Sequence, residues 1–139
     1  MPGNAAIEGI DIPASALSDK TSYIETARKG VSGRVVAQAV RVLGHRETFA
    51  GLMGTTAGNL NRFYRRPTLA PAQSEALLDM LRVVSRALAA FGDLDRVQQW
   101  FDSALPALGG ERPIDLCDTF EGRRAVDGIV CKIQYGEFP

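Results

Sequence analysis

Apolar residues recur at helical spacing along most of this chain, and the longest run covers residues 70–92. Ala70, Ser74, Leu77, Leu81, Val84, Leu88 and Phe91 follow one another in alternating steps of four and three, which places them on one stripe of a helix that must be buried. Pro71 stands at the favoured first helical position and Gly92 closes the run. Upstream, Ser32 is a good N-cap for a helix carrying Val36, Ala39, Val40 and Leu43 on one face, ended by Gly44. A shorter helix over 21–29, stopped by Gly30, precedes it. Downstream, Asp93 can cap a helix whose Leu94, Val97, Trp100 and Phe101 share one face. A last helix over 120–134 turns Val126, Ile129, Val130 and Ile133 inward before Gly136. No alternating strand pattern competes, so the expected fold is all-α.

Residues 1–20 mix Gly, Pro, Ala and Ser with few bulky groups and are expected to form a flexible arm. The expected organisation is therefore an arm over 1–20, a helical lobe over 21–69, a connecting helix over 70–92 and a small C-terminal lobe over 93–139. A chain of 139 residues, 45% hydrophobic and 23% charged, can bury a core and is not a disordered polymer. Formal net charge is zero, but residues 1–70 hold nine basic against five acidic side chains, +4, leaving −4 on the rest. A basic half suits phosphates and an acidic half a basic partner; a chance distribution is the alternative. Cys117, Cys131 and the single His45 are too few for a zinc site or a disulfide framework, so no metal or cofactor is expected. The start lacks a signal-peptide pattern, and no window approaches the roughly 18 apolar residues of a membrane span, so a cytoplasmic protein is expected.

Residues 46–63 have the spacing of a helix-turn-helix. Ala50 is the small residue where two helices would cross and Gly54 the turn residue. Leu60 and Phe63 would anchor the second helix, with Leu52 and Met53 beneath. Pro67 ends the second helix, which would expose Thr56, Asn59, Asn61, Arg62, Arg65 and Arg66. Asn can bond adenine and Arg guanine in two places each, while Thr56 and Arg66 are better placed for phosphates. Gly58 inside that helix costs roughly 1 kcal/mol relative to Ala. The competing reading is a helix pair with an ordinary solvated basic face.

In the C-terminal lobe, Leu108-Gly109-Gly110 is not followed by Lys-Ser or Lys-Thr and is no phosphate loop. Its glycines instead fit a tight connection packed under Trp100, itself expected in the core. Glu111, Asp115, Asp118 and Glu121 cluster near two helix starts, where they complement the helix dipole. With no nucleophile, metal set or histidine beside them, no catalysis is expected. An aromatic tail follows Gly136, either a frayed terminus or a contact surface.

These same residues carry a resemblance. Trp100, Ala104-Leu105-Pro106-Ala107-Leu108-Gly109-Gly110, Arg112-Pro113-Ile114-Asp115-Leu116, Glu121-Gly122 and Tyr135-Gly136-Glu137-Phe138-Pro139 succeed one another along the chain. The succession resembles the toxin-binding domain of Xre/MbcA/ParS-type antitoxins, with its Trp helix, Leu-Gly-Gly loop, Pro-hydrophobic-Asp-Leu turn, Glu-Gly helix start and Tyr-Gly finish. It covers residues 32–139 and is strongest over 91–136. The resemblance implies an Xre-like helix-turn-helix lobe that represses its own operon, joined by the long helix to a lobe that binds a RES-domain toxin. Such toxins consume NAD or transfer ADP-ribose from it. The implied toxin contacts are the tail residues Tyr135, Glu137, Phe138 and Pro139, which would occlude the toxin's active site, with Arg112, Glu121, Arg123 and Arg124 at the rim. The implied partners are the toxin, operator DNA and further copies, as a homodimer or a larger hetero-oligomer. Where the family's turn helix reads Thr-Leu-Arg-Arg, this chain has Asn59-Leu60-Asn61-Arg62. The alternative is a stand-alone helix-turn-helix regulator whose C-terminal lobe only dimerises.

Overall fold

Helices begin and end where the sequence supplies caps and stops. The computed structural model describes residues 5–136, and these are helical, with no strand beyond an isolated antiparallel bridge between Ala5 and Pro13. The chain divides into two compact units, Met1–Leu81 and Arg82–Pro139, with the division inside a single long helix.

The first unit opens with helix α1, Ala14–Ser18, and α2, Lys20–Lys29. The Asp19 carboxylate accepts the Ser22 amide at 2.9 Å to start α2, and Gly30 at φ 88° stops it. Helix α3, Gly33–Leu43, begins with the Ser32 hydroxyl accepting from the Arg34 amide, and buries Val36, Ala39 and Leu43 as their spacing predicts. Gly33 is required by a close approach: a Cβ there would stand 1.8 Å from the Phe63 carbonyl oxygen. Its amide donates to the Arg66 carbonyl at 2.9 Å, which ties the start of α3 to the segment before Pro67. Ser74, placed by its spacing in an apolar stripe, is fully buried because its hydroxyl has work there. It accepts the Val31 amide at 2.9 Å and faces the Leu69 carbonyl at 3.3 Å.

Residues 5–18 are not the expected flexible arm. Ile7, Ile10, Ile12, Ala16 and Leu17 are all buried, and the Asp11 amide donates to the Gln38 side chain at 2.8 Å. Average composition hid three isoleucines spaced to bury together, and each removes a large apolar side chain from water.

Helix α4, Arg46–Met53, ends at Gly54 in the left-handed region, with the Thr55 amide returning to the Ala50 carbonyl. Ala50, Leu52, Met53, Leu60 and Phe63 are buried, as expected. The second helix of the expected pair is much shorter than its spacing implies. A 3-10 turn, Ala57–Asn59, leads into a single helical turn, α5, Asn61–Tyr64. Thr56 makes no capping bond, Gly58 adds backbone freedom, and Pro67 forbids extension. Arg46 fixes this short form, donating through Nε to the Ala57 carbonyl at 2.9 Å and through its guanidinium to the Tyr64 hydroxyl at 3.0 Å.

The long helix α6, Pro71–Phe91, is buried more broadly than one stripe. Leu77, Leu78, Met80, Leu81, Val83, Val84 and Ala87 are all inaccessible, while Leu88 and Phe91 are half-buried. The second unit holds the end of α6, then α7, Leu94–Phe101, capped by Asp93 accepting the Arg96 amide. A 3-10 turn, Pro106–Leu108, the short α8, Pro113–Leu116, and α9, Phe120–Gln134, complete it. Thr119 caps α9 by accepting the Gly122 amide at 2.9 Å. Gly122 has no substitute: a Cβ there would lie 1.6 Å from the Leu116 carbonyl oxygen, so α9 starts in direct backbone contact with the end of α8.

Two glycines of α9 therefore respond in opposite directions. Gly122→Ala is expected to lower stability by about 1–3 kcal/mol, as overpacking does. Gly128→Ala, whose Cβ meets nothing within 4 Å, is expected to raise it by about 0.5–1 kcal/mol through helix propensity. Urea unfolding of both variants checks this pair.

Candidate functional site

The second unit concentrates the features with no role in closing its core. Two of the large apolar side chains left exposed among the described residues are here, Phe120 at 57% and Tyr135 at 78%. Tyr135 follows α9 directly, and Gly136 at φ 77° ends the described chain. Glu137, Phe138 and Pro139, the rest of the expected tail contacts, lie outside the described residues.

Trp100 is not the core residue its size suggests. It is half-buried, 5.4 Å centroid to centroid from Phe91, and together with Leu105, Pro106, Ala107, Ile129 and Ile133 it lines an apolar groove of about 360 Å³. The connection beside it is closed by its own backbone. The Leu105 amide donates to the Glu111 carbonyl at 3.1 Å, and the Gly110 amide to the Leu105 carbonyl at 2.9 Å. Gly109 and Gly110 serve this turn through positive φ of 67° and 84°. A Cβ on either would meet nothing within 4 Å, so close packing under Trp100 is not their reason.

The charged candidates divide sharply. The Arg112 guanidinium holds both Asp115 carboxylate oxygens, at 2.8 and 2.9 Å, and reaches Asp102 at 3.8 Å. The hydrogen bonds and charge of Asp115 push the Arg112 pKa upward, so its charge is constant while half its side chain stays exposed. Glu121 is exposed in the first turn of α9. Arg124 is half-buried, 5.4 Å from the Phe120 ring centroid and 3.3 Å from Asp127. Arg123 is corrected from a rim position: it is 5% exposed and donates to the Cys117 carbonyl at 3.0 Å. It falls three and seven positions before Val126 and Val130, hence on the inward face of α9.

Asp127 was not foreseen. Its side chain is 8% exposed, and one oxygen accepts from both Arg86 of α6 and Arg124. The available signal was a carboxylate flanked by the inward Val126 and Val130, which calls for a buried cation.

In the first unit, Thr56, Asn59, Asn61, Arg62, Arg65 and Arg66 are all exposed. Arg66 rests over the Phe63 ring, 4.2 Å from its centroid. Among the described residues, no group of three metal-ligating side chains converges, and no helix is long and apolar enough to cross a membrane.

Comparison with known proteins meets this geometry in the second unit. Residues 86–136 match the model of the antitoxin Xre/MbcA/ParS C-terminal toxin-binding domain. The matched segment lies wholly within the C-terminal unit, Arg82–Pro139. A protein of Sphingobium sp. (strain YBL2), named Prs ADP-ribosylating antitoxin, is 48% identical over 42 residues, 30% of this chain and 26% of the relative. The matched segment thus spans about a quarter of that relative's length. The match begins within α6, earlier than residue 93, and Arg86 and Phe91 of that helix do contact Asp127 and Trp100. The residues that carried the resemblance divide as the geometry does: Gly109, Gly110 and Gly122 shape backbone, while Trp100 lines the groove and Tyr135 is exposed.

Removing the Asp127 carboxylate takes one ionic partner from each of Arg86 and Arg124. Asp127→Ala is expected to cost about 1–3 kcal/mol, below the range for wholly buried pairs because both arginines keep access to water. Thermal denaturation against the Asp127→Asn variant, with a smaller expected loss, checks it.

Proposed function

We propose that this protein is the antitoxin of a type II toxin-antitoxin pair, and that it neutralises a RES-domain toxin acting on NAD by covering the toxin's active site. The reading is carried by the match of residues 86–136 to a toxin-binding domain. The name of the Sphingobium relative, which joins an antitoxin to ADP-ribosylation, is in keeping with a toxin that takes ADP-ribose from NAD. Inhibition is steric in this account. Tyr135 and the residues that follow enter the cleft, Arg112, Glu121 and Arg124 contact its rim, and the protein catalyses nothing itself. It acts in the cytoplasm, where NAD is the toxin's substrate. Operon repression belongs to the first unit, through Thr56, Asn59, Asn61, Arg62, Arg65 and Arg66. A single helical turn carrying so few cations binds DNA weakly alone, so repression requires a dimer or a toxin-bound assembly.

Two outcomes are expected. A chain truncated after Tyr135 keeps its thermal midpoint but no longer rescues cells expressing the toxin encoded beside it; full rescue removes the tail from the mechanism. Arg62→Ala weakens binding to a promoter fragment of its own operon by about 1–3 kcal/mol and relaxes base preference at one position, as electrophoretic titration would measure. Identical titrations would leave the basic residues as a solvated face.

A further inference from the structure

The groove beside Trp100 is built for an occupant. Phe91, Trp100, Ile129 and Ile133 form its walls, and exposed Pro106 and Ala107 its outer lip, around a space of about 360 Å³. Apart from the Trp100 indole, no side chain there offers a hydrogen bond, so nothing would orient a polar metabolite. An apolar side chain from a protein fits those walls. The lip is already rigid: the Gly109 amide donates to the Pro106 carbonyl at 3.0 Å, inside the loop closed by Leu105 and Glu111. A preformed aromatic pocket of this kind loses little entropy on binding and is where interface energy concentrates.

We propose that this groove is a second anchoring site for the toxin, taking one or two apolar side chains projecting from the toxin's surface. The proposal rests on the antitoxin reading. Every lining residue lies within residues 86–136, the segment matched as toxin-binding. Ile133 stands two residues before Tyr135, so groove and tail are continuous along the end of α9. The toxin is then held at two places, with the tail blocking the active site and the groove supplying affinity. Affinity and inhibition become separable.

The test uses the purified full chain and the RES-domain protein encoded beside its gene. Ala107 is exposed, so Ala107→Asp and Ala107→Lys are tolerated by the fold, which circular dichroism and an unchanged melting midpoint verify. Both variants should weaken toxin binding by about tenfold or more in calorimetry, while Ala107→Ser stays within about twofold of the parent. Equal affinity for all four proteins overturns the proposal. So does a loss confined to one charge sign, which marks an electrostatic rim and not an apolar pocket. If both charged variants dissociate a dimer of this chain yet keep toxin affinity, the groove is a self-contact and the proposal falls. Failure of the parent chain itself to bind overturns the antitoxin reading and the groove with it, a result distinct from failure of the variants alone.

Discussion

A backbone contact that only glycine permits organises the C-terminal unit. At Gly122 the first turn of α9 touches the Leu116 carbonyl, closer than any side chain would allow. The direction in which α9 leaves α8 is thereby fixed. From that start Arg123 reaches back to the Cys117 carbonyl and Asp127 meets Arg86. Ile129 and Ile133 are then placed beside Phe91 and Trp100, and the helix ends with Tyr135 exposed. Widen the contact at Gly122, and each later residue of α9 shifts with it. The Glu-Gly pair is thus informative for a mechanical reason.

Much of this was legible in the sequence because caps and periodicity act locally. Ser32, Asp93, Gly30, Gly44 and Gly54 mark helix ends, and their effect depends on only a few neighbouring residues. What escaped depended on distant partners. The N-terminal isoleucines read as loose chain until the fold supplies a surface to bury them. The second helix of the pair after Gly54 is held short by Arg46, from eleven residues upstream of Ala57. Arg123 and Arg124 look alike as neighbours on a charged face, yet helical register sends one inward and leaves the other half-exposed. Trp100 misled in the opposite sense, since size predicts burial and the structure leaves it lining a groove.

The same division separates residues that build the candidate site from those that use it. Gly109, Gly110, Gly122, Thr119 and Asp127 set the backbone and lock α9. Ala107, Arg112, Phe120 and Tyr135 are exposed and Trp100 lines the groove, and these are the residues proposed to meet the toxin. In that account, loss of function through the first group would come with loss of stability, whereas loss through the second would not. The charge division, +4 over residues 1–70 and −4 over the rest, would suit the proposed partners, a basic surface for the second half and phosphates for the first.

Amide hydrogen exchange on the full chain, alone and with the neighbouring RES-domain protein, tests the central claim most directly. The account predicts slowed exchange at residues 105–110 and along the end of α9 through Tyr135, with α3 and α4 unchanged. Protection confined to the first unit, or none in the second, would contradict it.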